Sequence, residues 1–258
     1  MLTDKVVLIT GGTQGVGGAI ARAALRQGAQ VAVTGRRAEV GEAFVADLAQ
    51  QFGEGRSMFV QADSGDTDQA RGAVQATVDR FGRIDGLVNA AGLTTRGTLL
   101  DTTPELFDQH IAVNLKGPFF LMQAAVEDMR GRGAPGSIVN VITMSSHGGQ
   151  SYLASYVASK AGLVGLTKNL AHAHRFDRIR INGLNIGWTQ TEGEEAVQRE
   201  FHGAGDDWLE KAADRVPMGK LGQPDEIAEI VVLLLSDRSG VVTGSIIDWD
   251  QVVIGAYD

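Results

Sequence analysis

Cysteine is absent from this 258-residue sequence, and so are an excess of positive charge and long apolar runs. The lack of cysteine excludes disulfide bonds, thiolate metal ligands and a cysteine nucleophile, and it fits a reducing compartment. The net charge of −8 argues against nucleic acid or an anionic membrane as partner, because either needs a clustered basic surface. No run is long enough for a signal peptide or a membrane span. We therefore expect a cytoplasmic protein that acts on a small molecule and holds no metal.

Domain boundaries are not marked either, because the sequence has no internal repeat, low-complexity tract or linker rich in proline and serine. A hydrophobic content of 43% supports a substantial core, and α/β folds of this length commonly form one domain. We expect a single domain over residues 1–258.

Short strand-like runs alternate with longer helical patterns along the chain. This alternation indicates a parallel sheet wrapped by helices, and the runs are largely apolar, as expected when both faces of the sheet are covered. The predicted fold class is therefore α/β, a doubly wound sheet of about seven parallel strands flanked by helices. The runs span residues 6–10, 31–34, 58–61, 87–89, 138–141, 180–184 and 245–248.

Two segments near the carboxyl end have contrasting patterns. A helix is predicted after Pro224, because acidic residues follow at once and Ile227, Ile230, Val231 and Leu234 form one apolar stripe. Residues 189–215 are instead polar, charged and punctuated by glycine. We interpret them as an irregular excursion beyond the sheet that covers a site.

A glycine-rich segment lies between the first strand and a helical pattern at residues 19–27. Residues 10–17 read TGGTQGVG, with Gly11, Gly15 and Gly17 as the spaced glycines. In an open α/β sheet this position binds phosphate, because glycines let backbone N–H groups approach the ligand and the helix N-terminus attracts negative charge. The spacing predicts a dinucleotide site, with a purely structural turn as the alternative.

The end of the second strand bears on cofactor choice. Sites that prefer NAD usually have an acidic residue here for the ribose 2′-hydroxyl, whereas arginine accommodates a 2′-phosphate. This sequence lacks the acid and has Arg36 and Arg37, whose guanidinium groups suit a phosphate. We expect NADP as the cofactor, with NAD as the alternative.

Tyr156 and Lys160 are four residues apart, so that on a helix the phenol and the ammonium group lie side by side. A phenol ordinarily has a pKa of about 10, and an adjacent cation lowers it. The pair is thus suited to protonating an alkoxide or deprotonating an alcohol. On spacing alone, an ordinary surface pair fits equally well.

The motifs described so far occur together with NAAG at residues 89–92 and with Asn114. In this combination and order, the chain resembles the short-chain dehydrogenase/reductase family over nearly its whole length. The resemblance implies a Rossmann-type fold, a homotetramer or homodimer, and hydride transfer between NADP(H) and a carbonyl/alcohol pair. A non-catalytic dinucleotide-binding protein for sensing or assembly is the alternative from another class.

The resemblance also implies roles for individual residues. Tyr156 is the general acid/base, Lys160 lowers its pKa and binds the nicotinamide ribose, and Asn114 distorts a helix and holds a water linked to the lysine. Asp63 matches a position that binds adenine, with a turn or cap role as the alternative. The cofactor-binding residues are Gly11, Thr13, Gln14, Gly15, Val16, Arg36, Arg37, Asp63, Ser64, Asn89, Ala90, Gly92, Tyr156, Lys160, Gly187, Thr189 and Thr191.

Three segments depart from the family pattern. Thr143 occupies the position of the usual catalytic serine, and Ser145 is the rival for that role. Threonine keeps the hydroxyl group but adds a methyl group and restricts χ1. Ile186 replaces a proline of the family. Residues 248–251 read DWDQ where a glycine pair often stands, and their carboxylates either meet a neighbouring subunit or a cation or form an ordinary tail.

The substrate is expected at the carboxyl end of the sheet, where ligands bind in such folds. Ser145, His147 and Gln150 precede Tyr156, and Trp188 follows the sixth strand. These hydrogen-bonding groups and one flat aromatic suit a polar substrate, such as a sugar, a polyol or a small hydroxy compound. The alternative places His147 in solvent and Trp188 in the core.

Overall fold

Seven strands form one parallel sheet in the computed structural model of this chain, which describes residues 1–256. The strand order is β3-β2-β1-β4-β5-β6-β7, and each pair of neighbours is parallel. The strands are β1 (Val6–Thr10), β2 (Gln30–Gly35), β3 (Ser57–Gln61), β4 (Gly86–Asn89), β5 (Gly136–Val141), β6 (Ile179–Ile186) and β7 (Ile246–Trp249). The predicted fold class is confirmed.

Helices cover both faces of the sheet. One buried cluster joins α1, α2 and α9 to one face, and a second joins α3, α5 and α6 to the other. The helices are α1 (Gly15–Arg26), α2 (Ala38–Phe52), α3 (Thr67–Phe81), α4 (Pro104–Ile111), α5 (Gly117–Gly131), α6 (Ala154–Ala173), α7 (Glu192–His202), α8 (Trp208–Ala213) and α9 (Pro224–Leu235). Within the described residues, no helix is long and apolar enough to cross a membrane.

All seven predicted runs fall on strands, with small differences at the ends. Strand β6 extends past both ends of the predicted run, whereas Ser245 lies just before β7. The helix after Pro224 is also confirmed, and Ile227, Val231 and Leu234 of its stripe are buried. The carboxylate of Glu226 accepts a hydrogen bond from the N–H of Gln223 at 3.3 Å and so caps the first turn.

Residues 189–215 are more regular than expected, because they contain α7 and α8. Helix α7 begins at a capping threonine, Thr191, whose hydroxyl accepts a hydrogen bond from the N–H of Glu194 at 3.0 Å. Trp208 at the start of α8 is buried against Leu221. The segment does lie between β6 and β7, outside the sheet, but the prediction of irregular structure is wrong.

The chain reverses its winding direction between β1 and β4, which are neighbours in the sheet. The Thr10 hydroxyl at the end of β1 accepts hydrogen bonds from the N–H groups of Ala90 and Ala91, both at 3.2 Å. It therefore holds the loop after β4 against the loop after β1. A crevice at such a switch point is where open α/β sheets bind ligands.

Candidate active site

The glycine-rich turn after β1 has a shape that other residues could not adopt. Gly11 and Gly15 have φ values of +62° and +52°, in the left-handed region that favours glycine. A Cβ on Gly17 would lie 2.3 Å from the backbone oxygen of Gly11. The side chain of Gln14 makes no capping hydrogen bond to α1, so the first N–H groups of that helix remain available to an anion. The turn thus fits the pyrophosphate of a dinucleotide.

The end of β2 lies beside this turn. Arg36 and Arg37 are both exposed, and the Arg37 guanidinium donates a hydrogen bond to the side-chain oxygen of Gln14. The contact brings a positive charge to the edge of the phosphate site. Thr13 reaches the same place, because its side chain is 3.1 Å from the Cβ position of Gly35.

The segment after β3 has a local structural role. One carboxylate oxygen of Asp63 accepts a hydrogen bond from the N–H of Gly65 at 2.8 Å, which closes a turn. Ser64 is buried, and its carbonyl oxygen is so close to Gly117 that a Cβ there would lie 1.9 Å away. Asp63 therefore has the turn role that was the alternative for it, and its binding of adenine stays a prediction.

Asn114 lies where the helical path is distorted, as expected. Between α4 and α5 the residues Ala112–Lys116 form one turn of π-helix, a feature often found at functional sites. The Asn114 side chain accepts a hydrogen bond from the N–H of Leu93 at 2.8 Å and donates to the hydroxyl of Ser159 at 3.1 Å. It therefore links the loop after β4 to α6.

Asn89 ends β4, and Gly92 lies in the loop that follows it. A Cβ on Gly92 would contact the Asn114 side chain at 3.7 Å and the Lys160 ammonium group at 3.8 Å. The buried Asn89 amide donates to Asn140 on β5 at 2.8 Å. This arrangement brings the NAAG segment directly against the residues of the predicted catalytic group.

Tyr156 and Lys160 are both buried in the first two turns of α6, with exposed fractions of 8% and 5%. The Lys160 ammonium group donates to the carbonyl oxygen of Val141 at the end of β5, at 2.9 Å. Burial raises the pKa of Tyr156 to about 12, against the opposing effects of the Thr143 hydroxyl and the Arg96 charge. Burial also lowers the pKa of Lys160 to about 8.

The net direction of the Tyr156 pKa is opposite to the one expected from its spacing to Lys160. Loss of water around a phenol disfavours the charged phenolate, and in this site it outweighs the Thr143 hydrogen bond and the Arg96 charge. Tyr156 is thus protonated at neutral pH. It is poised to donate a proton.

The hydroxyl groups of Thr143 and Ser145 have different hydrogen-bond partners. The Thr143 hydroxyl lies close enough to Tyr156 to lower its pKa, and it donates to the Ser145 hydroxyl at 3.2 Å. The Ser145 hydroxyl in turn donates to the side-chain oxygen of Gln150. This geometry favours Thr143 for the role beside Tyr156.

His147 and Trp188 each have a partner within the chain. The His147 ring nitrogen Nε2 is 3.1 Å from the Asp248 carboxylate, which also accepts a hydrogen bond from Asn185 at 2.8 Å. The indole N–H of Trp188 donates to Glu194 at 2.7 Å. Asp248 is thus engaged within the chain, and across residues 1–256 no group of three or more His, Cys, Asp or Glu side chains could hold a metal ion.

The loop after β6 returns towards the glycine-rich turn. The Thr191 side chain is 3.6 Å from the Cβ position of Gly15, and the Thr189 hydroxyl donates to the carbonyl oxygen of Gly187 at 2.9 Å. A Cβ on Gly187 would lie 1.9 Å from the Asp250 carboxylate. This loop therefore borders the site that the glycine-rich turn begins.

Three residues around Tyr156 were missed from the sequence. The charges of Arg96 and Glu194 affect its pKa in opposite directions, Arg96 lowering it and Glu194 raising it. The buried His110 ring packs edge-on against the Tyr156 ring at 6.1 Å between centroids, and its Nδ1 is 2.9 Å from the hydroxyl oxygen of Ser155. Their positions in the sequence could have indicated Arg96 and Glu194, because Arg96 closely follows the NAAG motif and Glu194 closely follows the sixth strand.

Comparisons with known proteins show which family this chain is similar to. Residues 11–251 match a family model described as enoyl-(acyl carrier protein) reductase. The chain is 39% identical to an uncharacterized oxidoreductase of Thermotoga maritima, over 95% of this chain and 96% of that protein. It is 35% identical to L-rhamnose 1-dehydrogenase (NAD(P)(+)) of Azotobacter vinelandii, over 95% and 94%.

Levodione reductase has a similar solved structure, with a TM-score of 0.90 and 31% identity over 97% of this chain and 98% of that one. The motifs, the doubly wound sheet and these relatives agree with one another. This chain is an oxidoreductase of the short-chain dehydrogenase/reductase family.

Proposed function

We propose that this protein transfers a hydride between NADP(H) and a polar carbonyl/alcohol pair, with Tyr156 as the general acid/base. The observation that carries the proposal is the buried Tyr156 beside Lys160, with the Thr143 hydroxyl close to the phenol. Binding alone needs no proton donor, so this arrangement supports an enzyme rather than a non-catalytic dinucleotide-binding protein.

Each of these residues has a distinct task in the proposed reaction. The bound nicotinamide cofactor supplies or accepts the hydride. In reduction, Tyr156 donates its proton to the substrate oxygen, and the Thr143 hydroxyl donates a hydrogen bond to the same oxygen. Lys160 brings a cation to the site, and Asn114 holds the loop after β4 against α6. In oxidation the deprotonated phenolate of Tyr156 accepts the proton instead.

The test of the proton donor is the variant Tyr156→Phe, which keeps the ring and removes the hydroxyl group. NADPH consumption would be followed by absorbance with sugars, small oxo compounds and, for comparison, lipophilic ketones. NADPH formation from NADP⁺ would be followed with polyols and small hydroxy compounds. We expect the variant to lose about 10²- to 10⁴-fold in kcat while NADPH binding persists. Unchanged turnover in the variant would exclude Tyr156 from proton transfer.

NADP preference rests on Arg36, Arg37 and the lack of an acidic residue at the end of β2. Arg36→Ser should lower kcat/KM for NADPH by about 10- to 100-fold and leave NADH little changed, because a charged hydrogen bond to the 2′-phosphate is lost. Arg26→Ser at the exposed end of α1 is the matched control. Wild-type turnover with NADH as fast as with NADPH would reverse the assignment.

A polar substrate is supported by the hydroxyl and amide groups of Thr143, Ser145 and Gln150 near Tyr156. The similar L-rhamnose 1-dehydrogenase of Azotobacter vinelandii is named for a sugar. Turnover of lipophilic ketones with no turnover of sugars or polyols would overturn this part of the proposal.

We further propose a cytoplasmic homotetramer or homodimer built from a single domain, in which residues 189–215 act as a lid. Exposed apolar side chains support assembly, among them Leu99, Leu100 and Val253 with exposed fractions of 87%, 95% and 74%. Light scattering during size-exclusion chromatography tests the assembly, and a monomeric mass would contradict it. Protection of 189–215 from proteolysis by substrate and NADPH tests the lid.

A further inference from the structure

Arg96 is held beside the catalytic tyrosine by backbone pairing. The next residue, Gly97, donates its N–H to the carbonyl oxygen of Tyr152 at 2.9 Å and accepts a hydrogen bond from Ala154 at 3.0 Å. These bonds attach the loop after β4 to the chain that leads into α6. The position of Arg96 relative to Tyr156 is therefore set by the backbone.

The guanidinium group of Arg96 has donors that the chain does not use. Its Nη1 donates to the carbonyl oxygen of Thr94 at 2.8 Å. Its Nε is buried and meets no acceptor in residues 1–256, and neither Nε nor Nη2 pairs with a carboxylate of those residues. Nη2 makes no hydrogen bond to the described residues and, unlike Nε, is not a buried unpartnered atom. It is therefore the guanidinium donor that a carboxylate can reach.

Aromatic packing holds this guanidinium group in orientation. Its central carbon lies 5.7 Å from the ring centroid of Tyr152, within the range of a cation–π contact. The same ring packs edge-on against His202 at the end of α7, at 5.5 Å between ring centroids. Through the Tyr152 ring, Arg96 on the loop after β4 is thus connected to α7 in the segment of residues 189–215.

Glu194 brings the opposite charge to the same site. One of its carboxylate oxygens, Oε1, accepts hydrogen bonds from Trp188 and Gln198, both at 2.7 Å, whereas Oε2 accepts none from the described residues. Arg96 and Glu194 both act on Tyr156 through their charges. A substrate beside Tyr156 therefore meets a positively charged donor, Nη2 of Arg96, and an acceptor oxygen, Oε2 of Glu194.

We propose that Arg96 binds a carboxylate of the substrate while Glu194 accepts a hydrogen bond from one of its hydroxyl groups. This inference rests on the proposed function and narrows its substrate class to hydroxy acids with more than one hydroxyl group, and to their oxo forms. Oxidation breaks the C–H and O–H bonds of one carbinol and forms a C=O bond. The hydride goes to the oxidised cofactor, and the proton goes to the phenolate form of Tyr156.

The test uses pairs of compounds that differ in having a carboxylate or a hydroxymethyl group: glycerate against glycerol, and gluconate against glucitol. We expect the wild type to prefer the acid of each pair. Arg96→Gln should lower kcat/KM for the acids by about 10- to 100-fold, because it removes a charged hydrogen-bonded contact. Loss of the Arg96 charge also raises the pKa of Tyr156 for every substrate. The decisive quantity is therefore the ratio of kcat/KM for the acid to kcat/KM for its neutral partner, which should fall by about 10- to 100-fold. Arg96→Lys should recover only part of this loss. Arg26→Gln is the matched control.

A binding measurement separates this inference from the proposed function. Trp188 lies next to Glu194, so tryptophan fluorescence with NADPH present should report gluconate binding to the wild type and its loss in Arg96→Gln. Unchanged NADPH affinity verifies that the variant is folded. Equal binding of gluconate and glucitol, or an equal loss of both in the variant, would overturn the assignment. Selective gluconate binding without turnover of any alcohol or carbonyl compound would contradict the proposed function alone.

Discussion

Lys160→Met should remove a rise in the free energy of unfolding that the wild type shows between neutral and alkaline pH. Burial lowers the pKa of Lys160 from its ordinary value of 10.5 to about 8. The difference corresponds to about 3 kcal/mol at 1.36 kcal/mol per pKa unit. Between these two values the unfolded chain holds a proton on this amine and the folded chain does not, so wild-type stability rises with pH across that window. The variant lacks this titration.

The assay is urea denaturation of both proteins from pH 7 to pH 10, and the titration of Tyr156, which both proteins contain, cancels in the difference between them. The free energy of unfolding of the wild type should rise by about 2.5 kcal/mol relative to Lys160→Met over this range. The absolute difference at pH 7 also includes the lost hydrogen bond to Val141, but that contribution changes little with pH. Lys168→Met, at an exposed position of the same helix, should show no such trend. A difference between wild type and Lys160→Met that stays constant with pH would refute the reasoning.

Three further outcomes are expected. Thr143→Ala should lower kcat by about 10²-fold, the loss typical of one hydrogen-bond donor to a reacting oxygen, whereas Ser145→Ala should retain most activity; the reverse result would move the role to Ser145. Gly17→Ala should weaken NADPH binding and destabilise the fold by about 1–3 kcal/mol, because the added methyl group meets a backbone oxygen. Gly72→Ala, at a position on α3 that faces open space, is the control and should not destabilise the fold. Alcohol oxidation should accelerate with pH towards pH 10, since the pKa of Tyr156 is raised to about 12, and a pH-independent rate would contradict this.

The sheet could be predicted because its strands carry a strong local signal. Residues 138–141 of β5, for example, are apolar on both faces with little interruption, as expected for a strand covered by helices on both sides. The motifs at residues 10–17 and at Asn114 could also be placed, because glycine at a tight turn and asparagine in a distorted helix have specific geometric reasons.

Local patterns could not predict the properties that depend on tertiary surroundings. Helix α7 is amphipathic but strongly polar overall and has no buried residue, so its charged and glycine-containing sequence indicates irregular structure. The spacing of Tyr156 and Lys160 places them together but says nothing about solvent, and burial decides the direction of both pKa values. Arg96 lies in a loop, and its approach to Tyr156 depends on a backbone pairing between segments more than 50 residues apart in sequence.

The buried polar atoms that lack a hydrogen-bond partner within residues 1–256 are concentrated at the site. They are Oδ1 of Asn89, Nε of Arg96 and Nε2 of His110. Each unmet buried group of this kind costs about 1–3 kcal/mol, so their grouping is costly for the fold. Asn89 ends β4, Arg96 is in the loop that follows β4, and His110 packs against Tyr156. The unpartnered atoms and the buried Lys160 therefore concentrate a cost in stability where the substrate and cofactor are proposed to bind, as expected when a site is optimised for function rather than for folding.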